Sequence, residues 1–292
     1  MTDMRFPHLA QHLFNVPLVI HPSKAEVIMA ALAERLGVTR IVLEGTRVAA
    51  DDDWAQPGPT RRRPAEDRGY DMVGPVALVP VKGTLVHRLG SLRPYSGMTG
   101  YDGIRQAVLS AATDPEVKGI MLDIDSPGGS AAGCFDLVDT IYAARSLKPI
   151  WAILDEDAYS GGYAIASAAH RITVPRTGGC GSVGVIRMHT DMSRALDKEG
   201  ITVTIIKEGD FKDDGASVAP LSDGARERMQ AEISVTATLF YDTVARNRGL
   251  KVDAVKALKA GCFMGAEAVK LGLADAVMAP DAAYREFVKS LS

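Results

Sequence analysis

The stretch VKGIMLDIDSPGGS, residues 117–130, sets the expected architecture of the chain. Residues 117–124 form a nearly continuous apolar run, which is typical of a strand buried on both faces of a sheet. Asp125–Ser130 contains Pro-Gly-Gly and predicts a turn. Residues 131–145 carry apolar side chains at helical spacing. This order of strand, glycine turn and helix predicts one unit of an α/β fold.

Similar patterns continue on both sides of this unit. Strands are predicted at 76–81, 150–154, 172–174, 183–186 and 203–206, and helices near 104–111, 161–169, 192–198, 223–246, 252–259 and 266–271. This alternation predicts layers of helices on a largely parallel sheet.

Four segments are predicted along the chain. Residues 1–48 form an N-terminal helical extension, 49–72 a flexible linker, 73–280 the main domain and 281–292 a C-terminal helix or tail. The linker is predicted from its acidic and basic runs, Asp51–Asp53 and Arg61–Arg63, and from its few apolar residues.

The bulk composition excludes several classes of protein. The 292 residues are 47% hydrophobic and carry a net charge of −3, so neither nucleic acid nor an anionic membrane is an expected partner. Three cysteines without a CxxC pair fit a reducing compartment. The most apolar early run, residues 13–20, is too short to cross a bilayer. We expect a cytoplasmic protein with no metal or cofactor.

Two glycine-containing motifs are candidates for chemistry. In the turn at residues 125–130, Gly128 and Gly129 would let backbone N–H groups approach an anion, although the motif by itself is weak evidence for a ligand and is more often a tight turn without one. Ser160 lies between the predicted strand at 150–154 and a helix beginning with Gly161. That placement is typical of a nucleophile elbow, but position 158 is Ala rather than Gly, and an ordinary helix-capping serine fits as well.

A serine nucleophile needs a base, and two candidates remain open on the residues alone. His189 follows the predicted strand at 183–186, and Asp191 would orient it. Lys212 lies in a loop after the predicted strand at 203–206. A lysine serves as a base when burial away from water favours its neutral form, and serine–lysine pairs are an established variant of the catalytic triad.

Several motifs in order resemble the signal peptide peptidase A (SppA) family of serine proteases. They are DSPGG (125–129), YSGGY (159–163), GSVGV (181–185), GDFK (209–212) and MGAEA (264–268). The resemblance covers residues 76–277. It implies a fold related to Clp protease and the crotonases.

By position, the resemblance implies that Ser160 is the nucleophile and Lys212 the general base. Gly129 and Gly161 would be the backbone donors of the oxyanion hole, and Ser182 would help to hold the lysine. In this family the serine and the lysine can come from neighbouring chains, so the resemblance implies an oligomer.

Where cellular members carry a membrane anchor, this sequence has the 1–72 extension. The arrangement resembles the phage and prophage branch, whose proteases trim capsid, portal or scaffold proteins. The alternatives are an SppA-like peptide-degrading protease of the host, a non-catalytic assembly scaffold and a crotonase-like acyl-CoA enzyme.

Overall fold

The computed structural model describes residues 16–22, 24 and 68–292. Most of the predicted N-terminal extension and linker lies outside the described residues. The described part of that region contains two short strands, one at residues 18–20 and one at residues 71–73.

A ten-stranded sheet is the centre of the described residues. Its strands are β1 (Leu18–Ile20), β2 (Asp71–Val73), β3 (Val76–Val86), β4 (Met98–Gly100), β5 (Gly119–Ser130), β6 (Ile150–Tyr159), β7 (Arg171–Val174), β8 (Gly179–Gly181), β9 (Cys262–Met264) and β10 (Ala276–Val277). The main order is β10-β7-β6-β5-β3-β2. Strands β3, β5, β6, β7 and β10 are parallel along this order. The predicted α/β class with a largely parallel sheet is confirmed.

Helices cover both faces of the sheet. They are α1 (Tyr101–Thr113), α2 (Cys134–Ala144), α3 (Gly161–Ser167), α4 (Ser193–Lys198), α5 (Asp223–Arg248), α6 (Val252–Ala257), α7 (Gly265–Lys270) and α8 (Pro280–Ser290). The larger core includes buried side chains of α1, α2, α3 and α5 together with those of the central strands. In the part of the chain that the structure describes, no helix is long and apolar enough to cross a membrane.

The glycine turn predicted at residues 125–130 is wrong. Strand β5 continues to Ser130, with a register shift against β6 between Ile124 and Ser126. The glycines remain within the strand because they have partners on two sides. Gly128 and Gly129 pair with β3 on one side and with β1 on the other. Helix α2 consequently begins at Cys134, later than predicted.

Two further predicted strands are also absent from the described structure. Of residues 183–186, only Ile186 forms a bridge, with Leu18. Residues 203–206 have the β-branched composition of a strand, but they are exposed and have no strand partner among the described residues. Conversely, the sequence did not predict β8, since its Gly-Cys-Gly composition has little preference for a strand. Pairing with β6 and β9 imposes the extended conformation on it.

Helix α8 closes the second face of the sheet. Phe287 is fully buried and its ring stacks on Trp151 with 5.0 Å between centroids. Gly119 gives it room, because a Cβ there would lie 2.7 Å from the Phe287 ring. The C-terminal helix therefore contributes a core of its own, together with Val76 and Ile153.

We expect Phe287→Ala to lower the free energy of unfolding by about 3–5 kcal/mol, the usual range for removing a buried phenylalanine. The measurement is urea denaturation followed by circular dichroism. Leu147→Ala is the control, because Leu147 is 62% exposed, and its loss should cost less than about 1 kcal/mol. Equal losses for the two variants would show that α8 does not dock as described.

Candidate active site

Ser160 occupies the single position between β6 and α3. Its backbone has φ 53° and ψ −117°, a conformation that non-glycine residues rarely adopt. The Ser160 N–H donates to the Gly181 carbonyl (2.8 Å), and the Ser160 carbonyl accepts from the Ala164 N–H (2.9 Å). A strained serine held between a strand and a helix has the backbone geometry of a nucleophile elbow.

The glycine end of β5 runs directly beside Ser160. A Cβ on Gly128 would lie 2.1 Å from the Val19 carbonyl oxygen, 2.9 Å from the Gly161 nitrogen and 3.0 Å from the Ser160 Cβ. These three atoms therefore converge on one small volume, which is open only because residue 128 has no side chain. Gly128 also has φ 95°, which favours glycine.

The Gly129 and Gly161 N–H groups both border the small space beside Gly128. Gly129 pairs with Val19 in the antiparallel ladder. The neighbouring ladder bonds, His21 N–H to Pro127 O and Ala131 N–H to Pro17 O, fix the alternation, so the Gly129 N–H donates to the Val19 carbonyl. Gly161 is the first residue of α3, where an N–H has no acceptor within the helix. The structure thus brings Ser160, Gly129 and Gly161 together.

Hydrogen bonds from two side chains hold the glycine end of β5 in place. The Ser126 hydroxyl donates to the Gly83 carbonyl (2.7 Å) and accepts from the Gly128 N–H (3.1 Å). The Tyr101 hydroxyl donates to the Ser130 carbonyl (2.7 Å), and burial raises the pKa of Tyr101 well above its usual value. This phenol remains a neutral donor throughout the physiological range. The sequence patterns did not single out Tyr101 for this role.

Ser182 lines a cavity next to the serine-bearing strand. It has φ 53°, is 6% exposed and donates its N–H to the Gly261 carbonyl (2.8 Å). The cavity has a volume of about 590 Å³, and its lining includes Ser182, Ile20, His21, Tyr241, Lys259 and Cys262. Burial raises the pKa of Cys262, while a hydrogen bond with Ser182 lowers it. The cavity is therefore partly polar on the Ser182 side.

Lys212 is on the surface of the single chain, whereas Ser160 is buried. The Lys212 side chain is exposed, and the Lys212 backbone N–H donates to the Gly209 carbonyl (3.3 Å) within the same loop. Among the described residues, no hydrogen bond or ion pair joins Lys212 to Ser160 or Ser182. The lysine that lines the Ser182 cavity is Lys259, which the sequence patterns did not single out. Lys259 lies in a turn after α6, and no motif near it in the sequence indicates a catalytic role.

The alternative base His189 is not assembled into a triad with Ser160 in the described structure. Both ring nitrogens of His189 are buried without a hydrogen-bond partner among the described residues. The Asp191 carboxylate instead accepts from the Ser193 N–H (2.9 Å) at the start of α4, and this bond holds the pKa of Asp191 below its usual value. The Asp191 carboxylate therefore binds the first N–H of α4, although its charge also interacts with His189.

No metal site accompanies these residues. Across residues 16–22, 24 and 68–292, no three His, Cys, Asp or Glu side chains are grouped as ligands.

The fold and the site define an α/β protein with a strained serine between a parallel strand and a helix, facing a glycine strand. The model of Peptidase family S49 matches residues 143–291. This match covers half of the chain, and the chain belongs to that family. The resemblance of the sequence motifs to the SppA family of serine proteases is thereby confirmed.

Two phage proteins are among its similar relatives. The capsid assembly protease C of Escherichia phage lambda is 39% identical over 282 residues, which cover 92% of this chain and 62% of that protein. The head-tail preconnector protein GP5 of Enterobacteria phage P21 is 40% identical over 276 residues, which cover 92% of this chain and 54% of that protein. The chain thus spans between a half and two thirds of the length of these relatives. The predicted resemblance to the phage branch is confirmed.

A solved enoyl-CoA hydratase from Shewanella pealeana aligns over 76% of this chain and 72% of its own, with 11% identity and a TM-score of 0.44. A likeness at this level carries no argument about function.

Proposed function

We propose that this chain is a serine endopeptidase that hydrolyses peptide bonds by a serine–lysine mechanism. The observation that carries the proposal is the convergence of the Ser160 Cβ, the Gly161 nitrogen and a backbone carbonyl oxygen beside Gly128. A carbonyl in that position is within reach of a serine at an elbow and of two backbone donors. Membership of Peptidase family S49 supports the same chemistry.

The proposed reaction begins with the Ser160 hydroxyl. Its oxygen attacks the scissile carbonyl while a base takes its proton, and the base later passes that proton to the leaving amine. The N–H groups of Gly129 and Gly161 stabilise the negative oxygen of the tetrahedral intermediate. The loss of one such donor typically lowers the rate about 100- to 1,000-fold.

We propose Lys212 of a second copy as the base. The segment before Lys212 exposes apolar side chains that a single chain leaves uncovered, with Ile206 96% exposed and Phe211 62% exposed. Its β-branched residues at 203–206 have the composition of a strand without a partner among the described residues. A second copy that pairs with this segment would cover the apolar side chains and remove Lys212 from water. The cavity at Ser182 would receive the lysine.

Proteins of an assembling phage head are the proposed substrates. The lambda relative is named a capsid assembly protease, and the P21 relative a head-tail preconnector protein. We extend these names to the present chain as a proposal for its substrates and for its place of action, the host cytoplasm or the prohead. Catalysis by this mechanism needs no cofactor.

The test is hydrolysis of unfolded casein by the full chain. We expect Ser160→Ala and Lys212→Ala to lower the rate at least about 1,000-fold, because each removes a group that acts only as part of the pair. His189→Ala and Lys259→Ala should remain active.

Ser146→Ala is the matched control for the serine, because its hydroxyl only donates locally to the Ala143 carbonyl. An inactive Lys259→Ala variant together with an active Lys212→Ala variant would identify Lys259 as the base. An inactive His189→Ala variant would favour a histidine mechanism. An active Ser160→Ala would refute the proposal. An inactive wild type whose Ser160→Ala variant still supports head assembly would favour the scaffold alternative.

A further inference from the structure

Residues 17–21 of this chain lie in the groove that leads to Ser160. On one edge, β1 pairs antiparallel with the glycine end of β5, from Leu18 opposite Ser130 to Ile20 opposite Gly128. On the other edge, the Leu18 N–H donates to the Ile186 carbonyl (2.8 Å), and the Ile186 N–H donates to the Leu18 carbonyl (3.0 Å). An extended peptide clamped between two backbone edges is bound as a substrate strand would be.

The side chains of the three β1 residues are buried. Leu18, Val19 and Ile20 are 2%, 0% and 3% exposed. A Val19 methyl lies 3.0 Å from the position of a Cβ on Gly161, so the valine side chain packs against the start of α3. The groove therefore accommodates a β-branched apolar side chain at the residue whose carbonyl faces Ser160.

The Val19 carbonyl is the one that occupies the proposed oxyanion site. It accepts from the Gly129 N–H, and it lies with the Gly161 nitrogen and the Ser160 Cβ around Gly128. The next residue has the opposite orientation. The ladder alternation turns the Ile20 N–H away from β5, and Ile20 lines the cavity that contains Ser182. The Val19–Ile20 bond thus extends from the backbone donors to the cavity proposed to receive the base.

We propose that Val19–Ile20 is the first peptide bond that this protease cuts, and that it lies in its own chain. This inference rests on the proposed serine peptidase function. Until the cut, residues 17–21 fill the groove and exclude other peptides. In the described part of one chain, Ser160 has no bound base, so the cut awaits the lysine of a second copy.

The chemistry is an ordinary acyl transfer to water. The Ser160 oxygen forms an ester with the Val19 carbonyl carbon, and the serine proton passes through the lysine to the Ile20 nitrogen, which leaves as a free amine. Water then hydrolyses the ester, which releases the Val19 carboxylate and restores the Ser160 hydroxyl. The products are residues 1–19 and residues 20–292.

The test is intact-mass spectrometry of the full wild-type chain after incubation, together with N-terminal sequencing. We expect a new N-terminus at Ile20, and no such product from Ser160→Ala. Ser160→Ala should also remain whole when it is mixed with wild type, because its own serine is the one that faces Val19. Val19→Asp should slow the cut about 10-fold or more, since a carboxylate would replace a fully buried methyl pair. Val73→Asp is the matched control, because Val73 is 40% exposed.

Each other outcome has a definite meaning. A wild type that degrades casein through Ser160 but keeps its Val19–Ile20 bond would overturn this inference and leave the proposed function standing. Cutting within residues 49–72 without cutting at Val19 would overturn it as well. A Val19 cut that persists in Ser160→Ala would assign the cleavage to another protease. A chain that cuts neither casein nor itself would contradict both proposals.

Discussion

An equimolar mixture of the Ser160→Ala and Lys212→Ala chains is expected to hydrolyse casein at about a quarter of the wild-type rate, although neither chain is active alone. If each site takes its serine from one copy and its lysine from a neighbour, random assembly makes one pairing in four intact. The physical basis is the exposure of Lys212 and of the apolar segment before it, which a single chain leaves uncovered.

The controls use a third chain that carries both substitutions. Mixed with either single variant, the double variant supplies no intact pairing and should give no activity. Mass spectrometry adds an independent readout, because only the Lys212→Ala chains in the active mixture retain Ser160 and should lose residues 1–19. If the mixture stays inactive while every variant forms the wild-type oligomer by light scattering, the serine and the lysine must act within one chain.

Gly128→Ala is expected to lower kcat/KM for a peptide substrate at least about 100-fold, which is comparable to the loss of an oxyanion donor. The new methyl would lie 2.9 Å from the Gly161 nitrogen and 2.1 Å from the carbonyl oxygen held beside it. It would therefore push the scissile carbonyl away from both donors. The measurement is steady-state hydrolysis of a fluorogenic peptide, with a thermal melt of each protein.

Gly97→Ala separates this effect from backbone strain. Gly97 has φ 72°, similar in kind to the φ of 95° at Gly128, but a Cβ there would meet nothing within 4 Å. Both substitutions force an alanine into the left-handed region, at a cost of about 1–2 kcal/mol. Only Gly128→Ala should lose activity at a temperature where both remain folded. Equal rates for the two variants would show that the carbonyl does not bind beside Gly128.

The frame of the fold was predictable because its signals are local. Apolar runs identified the cores of β3, β5 and β6, and helical spacing identified the buried faces of α1 and α2. Ser160 was recognisable because it lies at the junction of a strand pattern and a glycine-rich helix start. For such elements, the pattern that predicts the structure is also the one that stabilises it.

The parts that could not be predicted depend on distant partners. Pro127, Gly128 and Gly129 have the composition of a turn, yet strands on both sides pair with the two glycines and hold them in the sheet. The contact between Val19 and Gly129 joins residues far apart in sequence, which no local pattern records. The prediction for residues 203–206 is wrong for the opposite reason, because this segment has the composition of a strand but no strand partner in the described part of the chain. A strand whose conformation depends on pairing can be predicted only when its partner strand is known.

The exposed segment that ends at Lys212 also determines where the chain can work. On the proposed mechanism, a newly made copy diffusing alone carries a nucleophile without a base and a groove already filled by residues 17–21. The proteolytic activity of the chain then depends on the local concentration of further copies and not on an added activator. Copies gathered inside a closed shell would become competent together, whereas dispersed copies would leave the proteins of the surrounding cell intact.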